Sequence, residues 1–203
     1  IRISGPSGSG KTTTARRLAI HLRAMGARPI VVSLDDYFLE RERTPLDSRG
    51  DHDFETIDAM DLELINQNLE ELLDGKDVTL PRFNFFTGKR EQGPRIRMDS
   101  GDILIIEGIH GLNSRVSCSI PPELKFSIYV SPLTGISLDR HNRTSTTDNR
   151  LLRRLVRDRW LRGKSAGMTL AQWPSVIRGA HKYIFPYQEL ADEMFNSALV
   201  YEF

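Results

Sequence analysis

The feature that most constrains this chain lies at its start, where residues 1–4 alternate apolar and polar side chains and lead into a glycine-rich stretch. Three glycines let the backbone curl so that its N–H groups point at a phosphate, with the positive end of the next helix behind them. Lys11 then reaches the β- and γ-phosphates, and the Thr12 hydroxyl ligates Mg²⁺. We therefore predict a nucleoside triphosphate site with Mg²⁺. Its residues are Gly5, Pro6, Ser7, Gly8, Ser9, Gly10, Lys11, Thr12 and Thr13.

Length and composition limit the rest of the molecule. A chain of 203 residues with 39% hydrophobic content can bury one core, so we expect a single domain over residues 1–203. The chain has 28 Lys and Arg against 27 Asp and Glu, and this balance gives no reason to expect nucleic acid or a membrane as partner. The sequence leaves open whether the chain forms a homo-oligomer.

The cysteine content and the first residue bear on the protein's location and extent. The single cysteine, Cys118, fits a reducing compartment, and no apolar run is long enough to span a membrane, so we expect a cytoplasmic protein. The first residue, Ile1, already lies inside a predicted strand and no Met precedes it. We expect this domain to be cut from a longer chain.

Hydrophobic periodicity alternates between strand-like and helical stretches, which is typical of an α/β fold with a parallel sheet covered on both faces. The predicted strands are residues 1–4, 30–34, 103–108, 126–130 and 198–201. Amphipathic helices are expected from the glycine-rich loop to about residue 25 and over roughly 58–73. Residues 78–86 and 95–98 predict a β-hairpin, so a small lobe would cover about 78–98.

Acidic residues follow two of these strands. Asp35 and Asp36 end the second strand, and Glu107 ends the strand that begins at Ile103. Ligands of open α/β sheets sit at this carboxyl edge. The Glu107 carboxylate would hold Mg²⁺ through water or orient the attacking group, unless it merely faces solvent.

Basic residues are concentrated between residues 140 and 164. They are Arg140, Arg143, Arg150, Arg153, Arg154, Arg157, Arg159, Arg162 and Lys164. Arg150, Arg153, Arg154 and Arg157 share one helical face, where like charges repel unless an anion sits among them. We predict an Arg-rich helical lid over about 140–165. A solvated basic helix is the alternative, and nucleic-acid binding is disfavoured because no aromatic motif accompanies the arginines.

Several further motifs carry a family resemblance. They are Ser33-Leu34-Asp35-Asp36-Tyr37-Phe38, Asp53-Phe54-Glu55 with Asp58-Ala59, Leu80-Pro81-Arg82-Phe83-Asn84-Phe85, Ile106-Glu107-Gly108-Ile109, and Arg153-Arg154-Leu155-Val156-Arg157-Asp158 leading to Arg162-Gly163. With the glycine-rich loop, these residues resemble the uridine kinase and phosphoribulokinase family of P-loop kinases, most closely its uridine-cytidine kinase branch. The resemblance covers nearly the whole chain.

The resemblance implies ATP-dependent transfer of a phosphoryl group to a primary hydroxyl of a nucleoside. Asp35 matches the base toward the 5′-hydroxyl, and the implied catalytic residues are Asp35, Lys11, Arg157 and Arg162. The implied metal site is made by Thr12, Asp35 and Glu107. The implied acceptor site is made by Asp36, Tyr37, Glu55, Phe83, Phe85 and Arg154. The two phenylalanines could equally be core residues, and the two aspartates could form a strand-end turn.

Departures from the family pattern fall on the acceptor side. Gly88 stands where uridine-cytidine kinases have a histidine that reads the pyrimidine, and Phe83 replaces a tyrosine. Two alternatives therefore stay open: a kinase for a non-nucleoside alcohol such as a sugar phosphate or polyol, and a regulatory ATP-binding module without transfer. His110 is interpreted as a structural histidine rather than a phosphate ligand, and Trp160 and Trp173 as packing residues.

Overall fold

The computed structural model of the protein describes residues 1–47, 50–135, 139–142 and 144–202. Arg143, which belongs to the predicted basic lid, lies outside the described residues. Within the described ranges, the main sheet has five strands in the order β2-β5-β1-β6-β7, and every neighbouring pair is parallel. The strands are β1 (Arg2–Ser4), β2 (Pro29–Ser33), β5 (Ile103–Glu107), β6 (Ser127–Ser131) and β7 (Glu193–Asn196). The predicted α/β fold is confirmed.

Helices cover both faces of this sheet. On one face, α1 (Lys11–Ala24) buries Ala15 and Ala19 against Ile3, Ile105 and Val130. On the other face, α2 (Leu62–Leu73) buries Ile65, Leu69 and Leu72 in a second core with Val32 and Leu34. Because each face of a parallel sheet needs an apolar cover, these two helices account for the continuous apolar runs of the strands.

Two helices form the basic region and its continuation. The first, α3 (Thr146–Leu161), begins at the N-cap Ser145, whose side chain accepts the Asp148 N–H. The second, α4 (Ala166–Gly179), continues without a break into a π-helical turn at Ala180–Ile184. No helix in the described part of the chain is long and apolar enough to cross a bilayer.

The last strand was predicted in the wrong place. Residues 198–201 are not a strand, and Val200 and Tyr201 are 85% and 74% exposed. Instead β7 pairs with β6, although all four of its residues are exposed. An edge strand with exposed side chains has no apolar run to reveal it, and residues 198–201 are apolar but pair with no strand among the described residues.

The predicted hairpin is present, but its first strand is shorter and its second strand longer than predicted. Its strands are β3 (Val78–Asn84) and β4 (Lys89–Ile96), so the second strand begins at Lys89 rather than near residue 95. The polar, exposed start of β4 explains the error, since its residues carry no apolar alternation. Gly88 has a positive φ of 70° at the turn, a conformation that glycine adopts without strain.

Smaller errors concern individual positions. Helix α2 begins at Leu62 rather than at residue 58, after a short 3₁₀ turn at Ile57–Ala59. Met25 and Leu73 fall at the helical spacing of the inward-facing residues that precede them, yet both are exposed. Trp160 was interpreted as a packing residue and is 81% exposed. Trp173 is half-buried, with the Arg150 guanidinium 5.4 Å from its ring centroid.

Candidate active site

The glycine-rich loop connects β1 to α1 in a conformation that only glycine accommodates. Gly5, Gly8 and Gly10 have φ values of 150°, 81° and 92°. A Cβ added to Gly5 would collide with the carbonyl of Val130, and one added to Gly8 with the backbone of Arg150. The loop is therefore closely surrounded by β6 and α3, and its backbone shape is fixed by the sequence.

The side chains of the loop fall into two groups. Ser7, Ser9 and Lys11 are buried, whereas Thr12 and Thr13 are exposed. The Lys11 Nζ donates to the Pro6 carbonyl at 3.3 Å. Burial lowers the pKa of Lys11 to about 8, although Glu107 and Asp35 oppose the shift. Lys11 thus donates to the backbone of its own loop. A bound phosphate would replace the Pro6 carbonyl as the acceptor of this hydrogen bond.

Glu107 ends β5 beside the start of α1. It is 2% exposed, and its Oε1 accepts hydrogen bonds from the Ser33 hydroxyl at 2.7 Å and the Thr12 hydroxyl at 3.0 Å. Burial raises the pKa of Glu107, and the neighbouring charge of Asp35 acts in the same direction. A cation near this carboxylate would reverse that shift.

The oxygen groups near Glu107 fit a magnesium ion at a phosphate site. The described residues contain no group of three or more His, Cys, Asp or Glu that could hold a metal. Magnesium at such sites is bound by only one or two carboxylates, with water and substrate phosphates completing its octahedron. The Thr12 hydroxyl beside the Glu107 carboxylate is a donor set of that kind.

The two aspartates after β2 lie in a 3₁₀ turn, Leu34–Tyr37, and have different partners. Asp35 Oδ2 lies 3.3 Å from Arg162 Nη2. Asp36 Oδ1 accepts the Phe83 N–H at 3.1 Å, which ties the turn to β3. Burial raises the pKa of Asp36, and its hydrogen bond from Phe83 opposes this. Tyr37 is 1% exposed and its hydroxyl accepts from Asn68 of α2. Asp35 thus pairs with Arg162 of the basic region, whereas Asp36 is hydrogen-bonded to β3 and Tyr37 to α2.

The two phenylalanines of the predicted acceptor site contact each other. Phe83 is buried, and its ring centroid lies 5.9 Å from that of Phe38 and 5.1 Å from that of Phe85. Phe85 is half-buried and the Arg162 guanidinium lies 4.0 Å from its centroid. Phe83 therefore belongs to the core, and Phe85 forms the boundary between the hairpin and the lid.

Glu55 is the most unusual of these residues. It is 8% exposed, and its Oε1 lies 4.0 Å from Arg154 Nη1. Its Oε2 is buried and has no hydrogen-bond partner among the described residues. Burial raises the pKa of Glu55, and Arg154 and Lys11 oppose the shift. Because an unsatisfied buried carboxylate oxygen is costly, this atom is a candidate for contact with a ligand donor.

The arginines of α3 reach the glycine-rich loop. Arg150 Nε donates to the Ser7 carbonyl at 2.9 Å, and Arg154 Nη1 donates to the Ser7 hydroxyl at 2.7 Å. Arg157 Nη2 lies 3.4 Å from the same hydroxyl. Helix α3 is therefore attached to the loop that it was expected to cover, and it is not a solvated basic helix.

Two acidic residues that sequence reasoning missed relieve the repulsion among these arginines. Asp158 is fully buried, with Arg154 Nε at 3.3 Å and Arg157 Nη2 at 3.0 Å. Glu202 pairs with Arg153, whose Nη1 also donates to the Ser9 carbonyl at 3.3 Å. The spacing of Asp158, four residues after Arg154, was a sequence signal for the first pair; no local signal links residues 153 and 202.

Two further residues beside the site had not been identified as acceptor residues. The Arg41 side chain fills the space next to Gly88, so that a Cβ at Gly88 would lie 3.2 Å from Arg41 Nε.

His110 is 1% exposed and lies beside the backbone of Glu55 and Thr56, yet neither ring nitrogen forms a hydrogen bond of good geometry with the part of the chain described. Burial lowers the pKa of His110 to about 4, so this imidazole is neutral near pH 7.

Comparison with known proteins places the chain in a family. Residues 1–200 match the model of the phosphoribulokinase / uridine kinase family. A uridine kinase of Staphylococcus aureus (strain JH9) is 30% identical over 193 residues, which cover 95% of this chain and 84% of that protein.

Solved structures agree at the level of the fold. A possible uridine kinase from Bacillus stearothermophilus superposes with a TM-score of 0.59 at 21% identity, covering 95% of this chain and 85% of that one. A D-glycerate 3-kinase from Cryptococcus neoformans has a TM-score of 0.60 at 15% identity, covering 92% and 78%. A phosphoribulokinase from Rhodobacter spheroides has a TM-score of 0.59 at 18% identity, covering 94% and 67%. Taken with the family match over nearly the whole sequence, the glycine-rich loop and the lid arginines that contact it identify this chain as a member of the phosphoribulokinase / uridine kinase family of ATP-dependent small-molecule kinases.

Proposed function

We propose that this chain transfers the γ-phosphoryl group of ATP to the primary hydroxyl of a nucleoside. The observation that carries this choice of acceptor is the buried Oε2 of Glu55, which has no hydrogen-bond partner within the described ranges of the chain. A carboxylate oxygen in such surroundings fits a neutral acceptor that supplies hydroxyl donors, as a ribose does. The 30% identity to a protein described as a uridine kinase supports the same choice.

The phosphate side of the reaction rests on positioning and charge. Lys11 and the amides of the glycine-rich loop would bind the β- and γ-phosphates, and Arg157 and Arg162 would neutralise charge on the transferring group. Thr12, Glu107 and Asp35 would hold Mg²⁺, which when bound supplies positive charge to the phosphate oxygens. Ser33 would keep Glu107 in place through the 2.7 Å hydrogen bond.

The acceptor side requires a base. The nucleoside hydroxyl oxygen would form a bond to the γ-phosphorus while the bond to the β–γ bridging oxygen breaks, and ADP leaves. Asp35 would accept the hydroxyl proton. Arg162, now 3.3 Å from that carboxylate, would turn toward the transferring phosphoryl group as the acceptor takes its place. Arg154 and Glu55 would bind the sugar of the nucleoside, and Phe85 would face its nucleobase.

The test is a coupled assay of ADP release with Mg²⁺ and ATP, across uridine, cytidine, purine nucleosides and sugars. We expect release that depends on a pyrimidine nucleoside, with Lys11→Ala as the baseline. Asp35→Asn should abolish transfer while ATP affinity, measured by calorimetry, is retained. If no nucleoside supports ADP release above the Lys11→Ala baseline, the proposed acceptor is wrong.

A second acceptor class has one observation in its favour. Arg41 occupies the space beside Gly88, the position at which the resemblance to uridine-cytidine kinases implies a pyrimidine-reading histidine, and a guanidinium suits an anionic group better than the neutral edge of a nucleobase. A sugar phosphate is therefore the alternative acceptor. Phosphorylation of sugar phosphates that is lost in Arg41→Gln, with nucleosides inactive, would favour this alternative.

A further inference from the structure

The segment that carries Glu55 is held by a side chain two residues before it. Asp53 Oδ1 accepts the backbone N–H of Glu55 at 3.0 Å and that of Thr56 at 3.2 Å. Such an Asx turn fixes the direction of the backbone at Glu55. The position of the Glu55 carboxylate therefore depends on where Asp53 itself is held.

Asp53 is held by a residue 130 positions away in sequence. The Tyr183 hydroxyl donates to Asp53 Oδ2 at 3.2 Å. Tyr183 belongs to the π-helical turn at Ala180–Ile184, a rare conformation that often occurs at functional sites. Ala180 and Ile184 of the same turn are fully buried, so the turn is a rigid base for the tyrosine.

The residue that precedes this turn contacts Glu55 directly. Gly179 has an ordinary helical φ of −61°, so its conformation does not require glycine. A Cβ at Gly179 would nevertheless collide with Glu55 Cβ and would lie 2.7 Å from Glu55 Cγ. Gly179 is therefore required for space: it lets the Glu55 side chain lie against the end of α4.

We infer that Gly179 and Tyr183 are positioning residues that set the place of the Glu55 carboxylate and so determine recognition of the acceptor's hydroxyl groups. The inference rests on the proposed function, in which Glu55 binds those hydroxyls. Tyr183 acts through Asp53 on the backbone of Glu55, and Gly179 acts on its side chain. Together the two contacts tie acceptor recognition to the turn that follows α4.

The experiment compares four variants of the chain in steady-state kinetics with Mg²⁺ and ATP. Tyr183→Phe removes only the hydroxyl, and Gly179→Ala adds only a methyl group. The matched controls are Tyr201→Phe, at a tyrosine that is 74% exposed, and Gly167→Ala, where the nearest atom to the added Cβ is Ser165 Oγ at 4.0 Å. Thermal unfolding of each variant verifies that it is folded.

We expect the KM for the nucleoside to rise about threefold to tenfold in Tyr183→Phe, the scale of one ordinary net hydrogen bond, because the lost contact acts on the acceptor only through Asp53 and Glu55. In Gly179→Ala the rise should be at least about tenfold, since displacement of a binding group by an ångström has large effects. The KM for ATP and both control variants should stay within about twofold of the unmodified chain, the usual result at sites without a packing or binding role.

The decisive measurement uses nucleosides that lack the 2′- or the 3′-hydroxyl. If Tyr183 acts through Glu55, the tyrosine variant and the unmodified chain should bind the deoxy acceptor equally well. An equal rise in KM for ribose and deoxyribose acceptors, or a parallel change in the KM for ATP, would overturn the inference. If Gly179→Ala does not fold, Tyr183→Phe decides alone. Absence of transfer to any nucleoside by the unmodified chain would instead reject the proposed function, and the inference with it.

Discussion

Arg162 and Asp35 form an ion pair of 3.3 Å that joins the end of the lid to the turn after β2. The same guanidinium lies over the Phe85 ring at 4.0 Å, so the hairpin also meets the lid here. Three separate segments therefore meet at the Arg162 guanidinium, which pairs with the carboxylate that we propose as the catalytic base. The ion pair ties the C-terminal end of α3 to this turn, and under the proposed function the acceptor would have to exchange with Arg162 for access to Asp35.

This geometry predicts the effect of Arg162→Lys. Lysine keeps the charge but loses the planar group that stacks on Phe85 and pairs with the carboxylate. We expect kcat to fall by about 10²-fold or more, because arginines that neutralise a transferring phosphoryl group contribute about 10³–10⁵ in rate. Arg159→Lys, at an exposed position of α3, is the control and should behave as the unmodified chain. An unchanged kcat in Arg162→Lys would show that the ion pair has no catalytic role.

The lowered pKa of Lys11 predicts that ATP binding depends on pH. Burial lowers its pKa to about 8, so the free lysine loses its proton as the pH rises through that value. Phosphates bind the protonated form, and the affinity for ATP should therefore be constant below about pH 7 and fall by about tenfold per unit well above pH 8. Calorimetric titration with ATP between pH 6.5 and 9.5 measures this.

The control for this prediction is Lys11→Arg, since an arginine stays protonated throughout that range. Its affinity for ATP, whatever its absolute value, should not vary with pH. A fall of equal steepness in Lys11→Arg would assign the pH dependence to another group.

Much of this site could be predicted because its signals are local. The loop spacing, the acids that follow β2 and β5, and the arginine periodicity of α3 each lie within one element, and a parallel sheet brings strand ends to one edge. The partners that lie far away in sequence could not be predicted. Ser33 and Glu107 are 74 positions apart, and Tyr183 and Asp53 are 130 apart.

The errors in the fold have a common physical cause. The side chains of β7 and of the start of β4 are exposed. These strands form because their backbones pair with neighbours, β7 with β6 and β4 with β3. Apolar alternation detects burial, not pairing. The same limit explains Trp160, whose hydrophobic character predicted burial although no element covers it among the residues described.

Glu107→Gln tests the metal site separately from the fold. The amide keeps an oxygen that can accept from Ser33 and Thr12, so the midpoint of thermal unfolding should change little. The variant lacks the charge that would hold Mg²⁺. We therefore expect a higher Mg²⁺ concentration for half-maximal activity and a kcat lower by about 10²-fold, the scale for loss of one electrostatic group in an active site.

The matched control for this variant is Glu123→Gln, at an exposed position before β6. It should leave both the unfolding midpoint and the Mg²⁺ requirement unchanged. A normal Mg²⁺ titration in Glu107→Gln would contradict the proposed role of this carboxylate.

The buried contacts of Asp158 predict how much this residue contributes to the free energy of unfolding. It is fully buried, contacts Arg154 and Arg157, and accepts the Thr169 hydroxyl of α4 at 3.2 Å. Asp158→Asn would leave the two arginines without their common counter-charge, and removal of one partner of a buried ion pair costs about 3–5 kcal/mol. We expect a loss of about 2–4 kcal/mol in the free energy of unfolding, because Arg157 is partly exposed and can turn to solvent. Urea denaturation measures it, with the exposed Asp51→Asn as control.

The pH dependence of stability provides an independent check on Asp158. Burial alone would raise its pKa, but Arg157 and Arg154 outweigh this effect and hold the pKa below its usual range. A carboxylate with a lowered folded-state pKa stabilises the protein above its unfolded value of about 3.9, and this contribution is lost as the pH falls through the folded-state value. The stability difference between the unmodified chain and Asp158→Asn should thus be constant from about pH 5 to 7 and shrink in more acidic solution. A difference that persists undiminished at about pH 2 would mean that the aspartate stabilises α3 through packing rather than through its charge.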